Sequence, residues 1–148
     1  MPDDPTSSQT IQATAVTFDQ AGLIITGRSG AGKSSLALQL IALGAALVSD
    51  DGVIVTALDG GLRLEAPEPI KDRIEARGLG ILVSPSTSAW AKCVVALDET
   101  EDARLPQARE TVIAGVPLPL LRKVESPAFP AMLKLYLTGG PNGHTTGD

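Results

Sequence analysis

The run Gly27-Arg28-Ser29-Gly30-Ala31-Gly32-Lys33-Ser34 sets two glycines, Gly27 and Gly32, around four residues and follows them with Lys and Ser, the order a phosphate-binding loop requires. Glycines let backbone amides converge on phosphate oxygens. A helix starting there points its positive end at the same charge, Lys33 neutralises the β and γ phosphates, and the Ser34 hydroxyl can ligate magnesium. The plainer reading is an ordinary glycine-rich turn between strand and helix. The second cluster able to do chemistry is Asp50-Asp51, sixteen residues beyond Ser34 at the end of an apolar run. An acid in that place holds magnesium or acts as general base toward an attacking hydroxyl. Asp-Asp-Gly also suits a plain turn. Glu75 and Arg77 stand in a charged, glycine-containing segment and by themselves read as a surface ion pair.

The elements that must carry these residues follow from hydrophobic pattern. Residues 13–18 and 23–26 read as strands joined by a turn at Asp19-Gln20-Ala21-Gly22, which delivers the chain into the glycine loop. Residues 35–43 are apolar on nearly every side and stop at Gly44, so this helix is expected to be buried. Residues 45–48 read as an interior strand ending at Ser49-Asp50-Asp51. A hairpin follows, with residues 53–58 and 62–66 flanking Asp59-Gly60-Gly61. Cys93-Val94-Val95-Ala96-Leu97 is a buried strand, residues 98–109 a charged and solvated segment, 111–114 and 116–122 extended, and 129–137 a closing helix. The fold class is α/β: a mixed sheet with flanking helices around a phosphate loop.

At 148 residues the chain fits one domain. Residues 43% hydrophobic but only 3% aromatic predict a core of Leu, Ile, Val and Ala. A net charge of −5 argues against a general grip on nucleic acid, which needs a basic stripe. The one cysteine, Cys93, cannot pair within the chain and fits a reducing compartment. The polar, acidic start lacks the features of a secretion signal, and no apolar run is long enough to cross a bilayer, so a soluble cytoplasmic protein without membrane contact is expected. Residues 1–10 and 138–148 read as flexible tails around a phosphate-loop domain at 11–137. His144, the only histidine, has nothing apolar near it in sequence to hold it in a site.

Three segments together resemble the HPr kinase/phosphorylase family: residues 24–34, residues 45–51, and Glu75-Ala76-Arg77-Gly78-Leu79-Gly80-Ile81. The similarity runs from about Ile11 to Leu97, with a weaker echo in residues 115–119. The resemblance implies the fold of that family's C-terminal kinase domain, without the separate N-terminal domain of longer members. It implies ATP and Mg2+ as cofactors and transfer of the γ-phosphoryl to a serine of HPr, the phosphocarrier of the sugar phosphotransferase system, with phosphorolysis as the reverse. By motif position Asp50 resembles the catalytic acid/base, Asp51 its support or a metal ligand, Glu75 a magnesium ligand beside Ser34, and Arg77 the group that stabilises phosphoryl charge. The family forms assemblies, so a homo-oligomer is expected.

The chain departs from the family pattern in three places: Gln12 stands for a histidine, Gly52 for an arginine after the two acids, and Ser35 for an acid just after the loop. Glutamine makes hydrogen bonds but carries no proton charge. An ATP-binding sensor with weakened catalysis, or a kinase for a small hydroxylated metabolite, therefore stand as alternatives to an HPr-type serine kinase.

Overall fold

The computed structural model describes residues 8–139. Most of the expected tails, and His144, lie outside the described residues. Residues 8–10, expected to be loose, belong to strand β1 (Ser8–Ile11). The chain continues through β2 (Thr14–Phe18), β3 (Ala21–Thr26), α1 (Lys33–Ala42), β4 (Ala46–Ser49), β5 (Val53–Leu58) and β6 (Gly61–Glu65). After a short 3-10 turn at Glu68–Ile70 come β7 (Arg73–Ala76), β8 (Gly80–Val83), β9 (Ala89–Thr100), β10 (Glu110–Ile113), β11 (Val116–Lys123) and α2 (Phe129–Gly139).

Nine strands form one sheet in the order β1-β5-β6-β9-β3-β2-β4, with β11 joined to β9 and β10 to β11. The sheet branches at β9, because twelve residues are long enough for two neighbours on one edge. Ala89 and Trp90 pair antiparallel with β6, whereas Val94 to Ala96 pair parallel with β11. The other edge of β9 runs parallel to β3. In that pairing Gly22 sits where any Cβ would lie 2.7 Å from the Trp90 carbonyl oxygen, so close backbone approach requires glycine there.

The uninterrupted apolar run in β3 reflects burial on both faces. Leu23 and Ile25 join Cys93 and Val95 of β9 against Leu36, Ala37 and Leu40 of α1 and Phe129, Leu133 and Leu137 of α2. Ile24 and Val94 point the opposite way, into a second cluster closed by Val53, Val55, Leu62, Leu64 and Leu118 as the sheet curls over itself. Cys93 lies fully buried between the helices and the sheet, and burial pushes its thiol up to about 12.

One expectation is corrected here. The run at 45–48 forms an edge strand, antiparallel to β2, and not an interior one. It is apolar because Leu47 and Val48 fill opposite clusters, while Thr87 N–H donates to the Leu47 carbonyl at 3.0 Å on the outer side. An apolar run reports burial of two faces and says nothing of how many strands lie alongside. The charged segment 98–109 is largely exposed, as expected. It starts inside β9, and the Glu101 side chain, 8% exposed, pairs with Arg109 at 2.5 Å.

Leu40 has no exposed surface and joins α1 to the sheet. Leu40→Ala is expected to lower unfolding free energy by about 2 to 5 kcal/mol, read from the shift of the urea midpoint at constant m-value.

Candidate active site

The sequence folds into a site because β3 ends where its apolar residues end. Gly27, Gly30 and Gly32 then take φ values of 155°, 86° and 100°, conformations that L side chains rarely adopt. Ala31 N–H donates to the Arg28 carbonyl at 3.0 Å, and the Lys33 ammonium donates to the carbonyls of Gly27 at 2.7 Å and Arg28 at 3.2 Å, drawing the two ends of the loop together. No side chain caps α1, whose first turn contains no acid. Its opening residues Gly32 to Ser35 line a cavity of about 480 Å³, so the positive end of the helix is available to an anion.

The same cavity receives Gly27, Arg28, Ser29 and Gly30 from the loop, Asp51 from the turn after β4, Glu75 from β7, and Arg77 from the turn between β7 and β8. Gln12 and Thr14 complete its wall. Of the loop, Ala31 turns away from this cavity and lines a second one. Glu75 faces the cavity because its strand neighbours Ile74 and Ala76 are the buried ones, and Arg77 follows at the start of the turn.

Asp50 does not line the cavity. It lies behind it at 7% exposure, with both carboxylate oxygens engaged. Oδ1 accepts the Ser34 hydroxyl at 2.6 Å and the Thr14 hydroxyl at 2.9 Å, and Oδ2 accepts the Glu75 backbone N–H at 2.9 Å. Asp51 is turned outward by its own backbone, at φ 61°. Its N–H donates to the Thr14 oxygen at 3.2 Å, so one hydroxyl joins the two neighbouring acids. Ser49 Oγ donates to the Gly52 carbonyl at 2.5 Å and Gly52 N–H to the Ala13 carbonyl at 2.8 Å, which fixes that turn. Gly52 has φ 156°, a geometry strained for the arginine that the resemblance leads one to expect.

Among the described residues no group of three His, Cys, Asp or Glu side chains is arranged to hold a metal on its own. The donor set still suits magnesium, which commonly takes one or two protein oxygens and fills its remaining positions with phosphate and water. Ser34 Oγ and Asp50 Oδ1 stand together at 2.6 Å, and Asp51 and Glu75 line the adjoining cavity.

Two site residues escaped sequence reading. Thr14 looks like any threonine in a strand. Asp98 ends the apolar part of β9, and its carboxylate accepts the Arg28 N–H at 3.1 and 3.3 Å, tethering the loop. The signal for Asp98 was an acid at the end of an apolar strand, the same signal that drew attention to Asp50.

The β7–β8 pair forms a separate two-stranded sheet. Ile74 anchors it in the core, while Leu79, Ile81 and Val83 remain exposed. Its base is clamped by Asp72, which accepts the Ser86 hydroxyl and, at 2.8 Å, the Ser86 N–H, and whose own carbonyl accepts the Ser84 N–H at 2.9 Å. The Ser86 hydroxyl, then the Ser86 N–H, hold the Asp72 carboxyl below its ordinary value.

Sheet, loop and acid-lined cavity together define a phosphate-loop α/β protein. The family model described as the HPr serine kinase C-terminal domain matches residues 5–87, more than half of the chain, and the chain belongs to that family. An HPr kinase/phosphorylase of Aromatoleum aromaticum is 41% identical over 116 residues, covering 66% of this chain and 36% of the relative. One of Azoarcus is 54% identical over 66 residues, covering 41% of this chain and 20% of its own length. The matched stretches thus span about a third or less of these relatives. A solved structure of the Hpr(Ser) kinase/phosphatase from Coxiella burnetii shares the fold, with a TM-score of 0.75 at 23% identity over 88% of this chain and 95% of that one. Among the described residues no helix is long and apolar enough to cross a membrane.

The Asp72 clamp has a pH signature. A carboxyl held below its ordinary value stabilises the fold above its unfolded pKa, about 3.9, and that contribution disappears as pH falls through the lowered folded value. Asp72→Ala should speed amide exchange at residues 73–76 and 80–83 while leaving α1 protected, and should remove the part of the acid transition that Asp72 carries. Hydrogen exchange and an acid titration followed by circular dichroism measure both.

Proposed function

We propose that this chain is an ATP-dependent serine kinase of the HPr type, working in the cytoplasm. The observation that carries the reading is the meeting of the phosphate loop with Asp51, Glu75 and Arg77 in one cavity. The loop amides and Lys33 hold the β and γ phosphates, and Arg77 faces the charge that spreads over the phosphoryl group during transfer. Ser34, backed by Asp50, and the carboxylate of Glu75 are the groups that would hold magnesium, which when bound neutralises charge on the β and γ oxygens. The acceptor serine oxygen forms its bond to the γ phosphorus as the bond to the β–γ bridging oxygen breaks, releasing ADP.

The proton of that serine needs a base within reach. The roles expected of the two acids are exchanged in this reading. Asp50 has its oxygens committed to Ser34, Thr14 and Glu75, so it positions, whereas exposed Asp51 lines the cavity and accepts the proton. In reverse phosphorolysis Asp51 returns the proton to the serine oxygen. Gln12 in the cavity wall supports a second reading, a nucleotide-binding sensor of weak activity, because glutamine cannot supply the charge of an imidazolium.

With magnesium ATP and HPr the chain should yield phosphoserine on HPr, detected by mass spectrometry. Asp51→Asn should slow transfer by roughly 10² to 10⁴ with ATP affinity little changed, the range for loss of a general base. Asp50→Asn should instead weaken magnesium-dependent nucleotide binding and stability together. Transfer at the parental rate by Asp51→Asn rejects the base assignment, and ATP binding without transfer identifies the sensor.

A further inference from the structure

A second cavity, of about 470 Å³, lies around the other side of the α1 N-terminus. It shares Gly32 and Ser35 with the phosphate cavity, so the two adjoin around the first turn of the helix. We infer that this second cavity takes the nucleoside end of the ligand whose phosphates occupy the first; the inference rests on the nucleotide reading given above.

The spacing fits such a ligand. Helix α1 lines the second cavity with Gly32, Ser35, Leu36 and Gln39, the i, i+3, i+4, i+7 positions of one face. Seven residues at about 1.5 Å each extend roughly 10 Å along the helix, the reach of a ribose and base beyond an α phosphate. Ser35 stands at the junction. Where the family carries an acid, its hydroxyl adds no negative charge beside the phosphate chain.

The lining joins an apolar floor to a polar rim of Ser35, Gln39, Ser126 and the Lys123–Glu125 ion pair. Leu36, Leu97 and Phe129 form the buried floor, and Val124 and Pro127 come from the segment between β11 and α2. Gln39, exposed on α1, offers one amide donor group and one acceptor, the pairing that the hydrogen-bonding edge of a base presents. The wall opposite α1 exists because β11 lies beside β9 and parallel to it, which brings residues 123–127 to the same end of the sheet as the phosphate loop.

Calorimetry with ATP and with inorganic tripolyphosphate, both with magnesium, separates the two halves of the ligand. Wild type should bind ATP more tightly than tripolyphosphate. Gln39→Ala should weaken ATP by about threefold to tenfold, the loss of one or two hydrogen bonds. Gln39→Trp, which places an indole in the cavity, should weaken it further, and neither change should alter tripolyphosphate binding. On wild type, which avoids any folding defect, the amide resonances of Gln39, Val124 and Ser126 should shift with ATP and stay in place with tripolyphosphate. Equal shifts with both ligands, or ATP affinity unaffected by Gln39→Trp, overturn the nucleoside site while leaving the phosphate site standing. If wild type binds neither ligand, the nucleotide reading falls and this inference falls with it.

Discussion

The arrangement of the site depends on one buried carboxylate. Asp50 accepts hydrogen bonds from the Ser34 and Thr14 hydroxyls and the Glu75 backbone N–H, so it joins the start of α1, the start of β2, the end of β4 and the middle of β7. A carboxylate at this depth is costly unless its lone pairs are filled, and the strands and helix that fill them are the elements that line the phosphate cavity. Charge satisfaction and site assembly are therefore the same event. Removing any one donor leaves the acid undercompensated and one wall of the cavity unsupported.

The two clusters of apolar side chains explain how such a site can be rigid with so little aromatic content. Leu, Ile and Val alternate across β3 and β9, each residue committed to one face. Helices cover one face and the curl of the sheet covers the other. The phosphate loop leaves this scaffold at the point where both faces are fully packed, and Asp98 at the end of β9 ties its backbone back down. Among the described residues only the β7–β8 ribbon stands apart, held by Ile74 and the Asp72 clamp.

Local features of this protein were legible in its sequence, and features depending on distant pairing were not. The loop at 27–34 was readable because its amides, lysine and serine act within a few residues of one another. Glu75 and Arg77 were legible only through the family-like run from Glu75 to Ile81, and their meeting with the loop depends on where β7 packs. Which of two adjacent acids faces the cavity was not readable. That choice rests on the positive φ of Asp51 and on the bulged pairing of β4 with β2. The role of Asp98 depends on β9 lying beside β3, and the edge position of β4 on a β2 strand that separates it from β3. The strand pattern of 45–48 carried information about burial alone, since both its faces are covered.

The branch at β9 also bears on how the chain reaches this structure. Loop and tether, Arg28 and Asp98, are separated by 70 residues. Until residues 89–96 leave the ribosome, β3 has β2 on one side and an open, strongly apolar edge on the other. Such edges attract other chains, and long-range parallel pairing closes slowly because loop entropy is lost before contacts form. The segment before β9 therefore passes through a vulnerable period during synthesis, and the phosphate loop acquires its final anchor only once Asp98, 70 residues after Arg28, has been made.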